Sequence, residues 1–534
     1  MRLNKYILLS IIAFFSTALT ASSRTRETRS EYLLKKEIGF IVGHSKSRGT
    51  IKAIEVYSRR QRRTLYHSYS HLLLHPASNL KIVTTSCALQ NLGGSYNFKT
   101  KFEASGVQRG DTLFGNIVAV GGGDPILSYA DLDSSARNIS NSGIKYVDGN
   151  LVIDIAKFDS LQWGNGWMWD DEPASFAMFI SPTCLDHNTI TVNVSLDPFM
   201  HKLLVTTDPS TDFVKIACTA IPGPTDSLYV TRVMVNNTNT IYVGGTYTGD
   251  LTPSTYDFSV RHPAHYFGTV LKELLLKYGV NIRGKLVVTR DVRDPFDLRN
   301  LFTYRHSIDT VVTYTNKISD NLGAECFLRE VPSEVYGEIG SAENGIADEK
   351  QYLEECGVDS TQYYIVDGSG VSHYDLITPN AIVKVLTHML DQSTSDIFFH
   401  SLPIAGYDGS LSDRMSEDFV RGRVHAKTGS ISGVSTLSGY VVVPGDTLVF
   451  SMMMQNFVGS EDSMLALQNR LCALLTQYRE NPRLFAHNLR VHKIGTYGIL
   501  SEAHDGRKRG DREEIGRAER IHPRVPSQKP LEKR

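Results

Sequence analysis

The sequence predicts a mixed α/β chain of the α+β kind, split by a large β-rich insert. Three observations predict it. Helical patterns follow Pro76 and return after Asp309. Between about residues 95 and 300, short β-rich runs alternate with turn signals. Near the end, a strand–turn–strand pattern precedes an amphipathic stretch.

Taken in order, "IGFIVGH" and "IKAIEVYS" read as two strands around a Ser/Arg/Gly turn. "SNLKIVTTSCALQNLG" spaces Leu80, Val83, Ala88 and Leu89 as a helix does and stops at Gly93–Gly94. The runs "GNIVAVGGGD", "GNLVIDIAKFD", "NTITVNVSL" and "NTIYVGGTY" make the insert β-rich. "PAHYFGTVLKELLLKYG" returns to a helical pattern. In "ITPNAIVKVLTHMLDQ", Thr378 is placed to cap a helix whose first residue is Pro379. "STLSGYVVV-PGD-TLVFSMMMQNF" alternates about the turn Pro444-Gly445-Asp446, as a hairpin does. Met464, Leu465, Leu467, Leu471, Leu474 and Leu475 then form the apolar face of a helix lying on a sheet. After about residue 485 the pattern fades into a mixed-charge, Pro-containing tail, expected to be disordered.

The chain has 534 residues, 41% hydrophobic and 21% charged, with a formal net charge of −1. That balance supports several packed domains and supplies no global field to gather nucleic acid or an anionic membrane. Arg2 and Lys5 precede an apolar run of 13 residues, Ile7 to Leu19, and small residues follow. Such a run is a signal peptide pattern, because a spanning helix needs roughly 20 apolar residues. No cysteine stands near the cleavage region, so no lipoprotein anchor is expected, and no later stretch is long and apolar enough to span, so no integral membrane anchor is expected. The expected mature protein starts near Ser22 and is exported to the periplasm or the extracellular wall space. Cys87, Cys184, Cys218, Cys326, Cys356 and Cys472 have wide spacings and no C-x-x-C, which favours mostly buried free thiols.

Three short motifs carry the chemistry. Ser78-x-x-Lys81 opens the first helix, Ser319-Asp320-Asn321 follows the insert, and Lys427-Thr428-Gly429-Ser430 precedes the hairpin. This order is the signature of active-site serine penicillin-recognising enzymes. A serine hydroxyl needs a base to become a nucleophile, and residues three apart share one helix face, so Lys81 reaches Ser78. Lysine is a base when neutral; burial and a nearby cation such as Lys427 both depress its pKa. Ser319 would relay a proton toward the leaving amine, and Asn321 would hydrogen-bond a substrate amide. On an edge strand, K-T-G lets the substrate backbone add as a further strand. Lys427, Thr428 and Ser430 then meet a terminal carboxylate, and the N–H groups of Ser78 and Ser430 form an oxyanion hole. A second S-x-x-K, Ser142–Lys145, contains Gly143 and leads into a strand pattern, so it reads as a loop.

On these motifs the chain resembles the exported D-Ala-D-Ala carboxypeptidase/endopeptidases of the penicillin-binding protein 4 (DacB) type. Spacing sharpens the resemblance: 241 residues separate Ser78 from Ser319, and 108 separate Ser319 from Lys427. "GGGDP", "GWMWDDE" and "DGSGVSHYDLITP" also resemble family segments, over roughly residues 37 to 480. The resemblance implies a penicillin-recognising serine transpeptidase-like domain: an antiparallel sheet with helices plus a helical subdomain. It also implies that the insert forms two domains. The segments are then a signal peptide at 1–21, the catalytic domain at 24–95 and 301–482, the insert at 96–300 and the tail at 485–534. It implies peptidoglycan stem peptides as substrate, β-lactams as acylating ligands and no metal or organic cofactor. It assigns Asp171 and Phe176 to the stem's diamino-acid side chain. His373 and Ser432 depart from residues that relatives carry there.

Other features have plainer readings. "GGGDP" lacks the Lys-Ser/Thr of a phosphate loop and reads as a tight turn. His67, His71 and His75 are spaced by four, as zinc ligands on a helix are. His75 precedes Pro76, though, and the run alternates, so strand or loop is favoured. Asp320 reads as a local hydrogen-bonding group. Trp163, Trp167 and Trp169 either pack as core or form the lip of a ligand site.

Overall fold

The computed structural model describes residues 27–496, apart from 46–48, 198, 200–201, 235–236, 250–252 and 292–297. The expected signal peptide and the tail beyond 496 lie outside the described residues.

Five antiparallel strands form the central sheet, in the order Arg63–Ser68, Ile51–Ser58, Asp446–Gln455, Val434–Val443, Val424–Ile431. Both faces of this sheet are buried, which explains apolar runs such as "SMMM". Ile54, Val56, Phe450, Met452 and Met454 face one core with Leu34, Ile38, Leu467, Leu471 and Leu489. Ala53, Val449 and Met453 face the other, with Ile82, Val83, Val311, Phe327, Ile382 and Leu386. The second core belongs to a helical layer built from Lys81–Leu92, Ile308–Ile318, Asn321–Tyr336, Ala342–Glu355 and Pro379–Met389. Thr378 caps the last of these, accepting from the Ala381 N–H.

Two segments differ from the sequence reading. "IGFIVGH" falls in the helix Arg29–Gly43, not in a strand. Thr28 and Glu31 form its capping box just upstream, and Leu34, Ile38 and Ile41 are buried at helical spacing. The fading pattern after 485 also misled: Pro482–Val491 is a helix that buries Phe485 and Leu489 against the sheet's outer core. Two buried apolar residues four apart seat this short helix, while Leu484 and Val491 stay exposed.

The insert leaves the helical layer on strand Asn97–Arg109 and returns on Arg299–Ser307. These strands pair antiparallel, with Asn97 opposite Ser307, so the chain exits and re-enters at one place. That neck allows the first and second motifs to be far apart in sequence yet adjacent in space. Beyond it the insert's sheets and the helices Tyr129–Ser140 and Pro263–Lys277 share one cluster of buried residues. Ser142 and Lys145 lie between that first helix and the strand Tyr146–Val147.

All six cysteines are free, and Cys87, Cys184, Cys326 and Cys472 are buried. Among the described residues no helix is long and apolar enough to cross a membrane, and no group of three His, Cys, Asp or Glu side chains could hold a metal ion.

Candidate active site

Ser78 lies in the 3₁₀ turn Ala77–Leu80, which runs directly into helix Lys81–Leu92. Ala77, immediately before it, holds φ +46°, a left-handed conformation uncommon for a residue with a Cβ. The Lys81 ammonium group is fully buried and donates to three oxygens: Ser78 Oγ at 3.0 Å, Asn321 Oδ1 at 2.6 Å and the Ser369 carbonyl at 2.7 Å. Burial drives its pKa down to about 8, against the opposing pull of Asp367, Asp320, Glu325 and Asp375. Lys427 is equally buried and donates to the Thr428 carbonyl at 3.1 Å. Its pKa falls well below the usual lysine value, first through burial and then through repulsion by Lys81. Burial is the leading cause at both lysines, and the two ammonium groups also disfavour each other's charge.

Helix Ile308–Ile318 ends on Ser319, which is left-handed at φ +65° and so turns the chain between two helices. Asp320 then caps helix Asn321–Tyr336, accepting from the Gly323 N–H at 2.8 Å. That cap fits its reading as a local hydrogen-bonding group. Asn321 opens the helix; its Nδ2 donates to the Phe176 carbonyl at 2.8 Å, while its Oδ1 accepts from Lys81. The Phe176 ring itself is 49% exposed. Ser78, Lys81 and Asn321 are thus joined directly. Among the described residues the Ser319 hydroxyl has no hydrogen bond to any of them.

Lys427, Thr428, Gly429 and Ser430 lie on Val424–Ile431, the edge strand of the central sheet. The Ala405 N–H donates to the Val424 carbonyl, and the Ala426 N–H to the Pro403 carbonyl, both on the outer edge. Backbone groups alternate sides along a strand, so Thr428 and Ser430 also aim theirs outward, past the end of that cover. Gly429 is required by contact: a Cβ there would lie 2.9 Å from the Ser78 nitrogen and 2.3 Å from Thr436 Oγ1. The Thr428 hydroxyl is 2.7 Å from Ser410 Oγ, and the exposed Ser430 hydroxyl donates to Glu461 Oε2 at 2.8 Å.

Asp171 ends the 3₁₀ turn Trp169–Asp171 and accepts from the Met168 N–H at 2.9 Å. Partial burial and Asp170 raise its pKa, while the nearby His373 opposes that rise. His75 Nδ1 donates to the Asp375 carbonyl at 3.1 Å, and His67 lies on the strand Arg63–Ser68.

Sequence reasoning assigned no role to the loop that carries Ser369. The Asp367 carboxylate accepts from the N–H groups of Ser369, Gly370 and Ser372 at 3.1, 2.7 and 2.9 Å, and from Trp167 Nε1 at 2.9 Å. Glu325, in a fully buried ion pair with Arg329, accepts from the Gly368 and Ser369 N–H groups at 2.9 and 3.1 Å. Together these carboxylates fix the loop whose Ser369 carbonyl meets Lys81. The available signal was the segment "DGSGVS", where an Asp leads a run of small residues able to wrap around it.

The geometry has counterparts in known proteins. A D-alanyl-D-alanine carboxypeptidase of Actinomadura sp. (strain R39) is 30% identical over 480 residues, 87% of each chain. D-alanyl-D-alanine carboxypeptidase DacB of Haemophilus influenzae is 24% identical over 387 residues, 71% of this chain and 80% of that protein. The crystal structure of penicillin binding protein 4 (dacB) from Haemophilus influenzae matches the fold with a TM-score of 0.73 at 22% identity, over 82% of this chain and 99% of that one. The family model described as D-Ala-D-Ala carboxypeptidase 3 (S13) matches residues 41–478, and the chain belongs to that family.

Proposed function

We propose that this chain is an exported serine-type D-Ala-D-Ala carboxypeptidase acting on peptidoglycan stem peptides, with Ser78 forming the acyl-enzyme. One observation carries the assignment to Ser78: its hydroxyl lies 3.0 Å from a fully buried lysine whose pKa is pushed down to about 8. Neutral Lys81 takes the hydroxyl proton as Ser78 Oγ bonds to the carbonyl carbon of the penultimate D-Ala. The N–H groups of Ser78 and Ser430 hold the oxyanion. The C–N bond then breaks, the terminal D-Ala leaves with a proton returned through Lys81 and Ser319, and water hydrolyses the ester. The substrate backbone pairs with the open edge of Val424–Ile431, and its carboxylate meets Lys427, Thr428 and Ser430. Binding of that carboxylate favours the charged form of Lys427, offsetting the cost of its burial. Asp171, with the Phe176 segment, receives the stem's diamino-acid side chain. The same site serves as an endopeptidase on D-Ala–diamino-acid cross-links, and β-lactams acylate Ser78 because they present a similar amide and carboxylate. The place of action is the periplasm or the extracellular wall space.

The test is labelling of purified protein with a fluorescent penicillin, beside Ser78→Ala and Lys81→Ala, followed by D-Ala release from a pentapeptide stem. Labelling and release in the wild type, both lost in the two variants, is the expected result. Full labelling of folded Ser78→Ala sinks the proposal.

A further inference from the structure

A cavity opens beside the turn that carries Asp171. It encloses about 310 Å³ and is lined by Gln162, Trp163, Trp169, Glu172, Phe179, Asn237, Arg261 and His262. None of the motif residues lines it. Trp169 is 77% exposed, an unusual state for the largest apolar side chain unless something stacks on it. Trp163 packs on Phe179 at 5.1 Å, and the Arg261 guanidinium sits 5.9 Å from the same Phe179 ring.

Two arginines, Arg261 in the lining and Arg232 outside it, converge on the lining residue Glu172. The Glu172 carboxylate receives two hydrogen bonds from Arg261, at 2.5 and 2.7 Å, and also pairs with Arg232. Two guanidinium groups therefore share one carboxylate. The Arg232 side chain is fully buried, and its Nε and Nη1 lack partners among the described residues. Arg232 does not line the cavity, so Arg261 is the guanidinium that faces a ligand there.

The geometry points to a saccharide subsite here, taking an N-acetylated amino sugar of the glycan strand to which a peptide stem is attached. Aromatic faces suit the C–H face of a pyranose ring. The Gln162 and Asn237 amides suit ring hydroxyls, and the Arg261 guanidinium suits acetyl and lactyl oxygens. A volume of about 310 Å³ lies at the small end of ligand sites, fitting one or two sugar rings. Trp169 and Asp171 occupy one 3₁₀ turn, so a sugar on the indole lies beside the stem-binding side of the cleft. The inference rests on the proposed peptidoglycan substrate and names where that substrate's sugar binds.

The chain's three tryptophans all lie within residues 163–169, so intrinsic fluorescence reports on this cavity. The probe is the peptide-free disaccharide of N-acetylglucosamine and N-acetylmuramic acid, titrated into the full chain and into Trp169→Ala. Saturable fluorescence change in the wild type, weakened about tenfold or more in Trp169→Ala, is expected for loss of one stacking face. D-Ala release from a free pentapeptide should be unchanged in that variant. Release from a pentapeptide still attached to the disaccharide should exceed it in the wild type, and the excess should vanish in Trp169→Ala. No disaccharide response, or an equal response in the variant, overturns the inference. A response to free stem peptide but not to the disaccharide also overturns it, assigning the cavity to peptide. Failure of the wild type to release D-Ala from any stem strikes the proposed function instead, and the two failures are read on separate signals.

Discussion

Lys81 is asked to be both buried and basic, and its surroundings set how far each requirement is met. Burial lowers its pKa to about 8 although four carboxylates oppose the change. At pH 7 about a tenth of the molecules then hold the neutral base. The rate of Ser78 acylation should rise about tenfold per pH unit below that value and level off above about 8. A stopped-flow pH series with a chromogenic β-lactam measures this, and a profile flat from pH 6 to 9 excludes Lys81 as the base. Lys427 has no carboxylate among its hydrogen-bond partners, so its burial should weaken the fold. Its depressed pKa gives the sign. The cost is full at low pH, where the unfolded chain and the folded protein are both charged there. It fades as pH rises toward 10.5, where the unfolded lysine also becomes neutral. Lys427→Met should therefore stabilise the protein by about 1–4 kcal/mol in urea melts at neutral pH, less at pH 10, while abolishing D-Ala release. An unstabilised Lys427→Met shows that its charge is already compensated. The S-x-x-K, S-D-N and K-T-G side chains were legible as a set because their types and order are unusual together. The Ser369 carbonyl was not, since every residue has one and only the folded loop aims it.

Element by element, the site depends on how closely an edge strand approaches a turn. Gly429 lies where a methyl group would meet the Ser78 nitrogen and the Thr436 hydroxyl. Gly429→Ala must push the strand away from the turn that bears Ser78. The Ser78 and Ser430 N–H groups, proposed as the oxyanion hole, would then be misaligned. D-Ala release should fall about 10²-fold or more, while the melting midpoint moves little. Equal losses in activity and folded fraction would instead mean that the strand itself unravels. Helix Asn321–Tyr336 contributes differently, through the fully buried Glu325–Arg329 pair at 2.9 Å. Arg329→Met leaves Glu325 charged with only the Gly368 and Ser369 N–H groups for partners, a loss of about 3–5 kcal/mol by the usual cost of half-breaking such a pair. Chemical denaturation checks it; a loss under 1 kcal/mol means Glu325 simply takes up a proton. The return of helical pattern after Asp309 and the hairpin that follows K-T-G were readable from periodicity and turn residues. The helix Arg29–Gly43 was misread because "IGFIV", taken alone, suits either periodicity. Its capping box at Thr28 and Glu31 was the signal that separates them.

Across the whole molecule, the insert is more than an ornament on the neck formed by Asn97–Arg109 and Arg299–Ser307. Besides the Asn321–Phe176 bond, it touches the helical layer at several chemically distinct points. Phe158, Met178, Ile180 and Cys184 pack on Leu322 and Cys326. Lys157 pairs with the buried Glu330 at 2.5 Å. Trp167 donates to Asp367, the carboxylate that shapes the Ser369 loop. The β-rich character of the insert was legible in its sequence, but none of these contacts was, because each joins residues 140 to 200 positions apart with no shared pattern. The Trp167 bond makes the sharpest test of coupling. Trp167→Phe keeps the ring's bulk in part and removes one donor from Asp367, whose remaining partners are backbone N–H groups and the Ser369 hydroxyl. Stability should fall by about 1–3 kcal/mol, as for a buried acceptor that loses a partner. If the insert positions the loop, acylation of Ser78 should also slow by about tenfold at temperatures far below the melt. Val192→Ala supplies the control, since Val192 is buried in the insert's own core away from the loop. It should lose a comparable stability, about 1–3 kcal/mol, and acylate at the wild-type rate. Matching acylation rates in the two variants would mean that the insert supports the catalytic layer by bulk packing, with no specific line from Trp167 through Asp367 to Lys81.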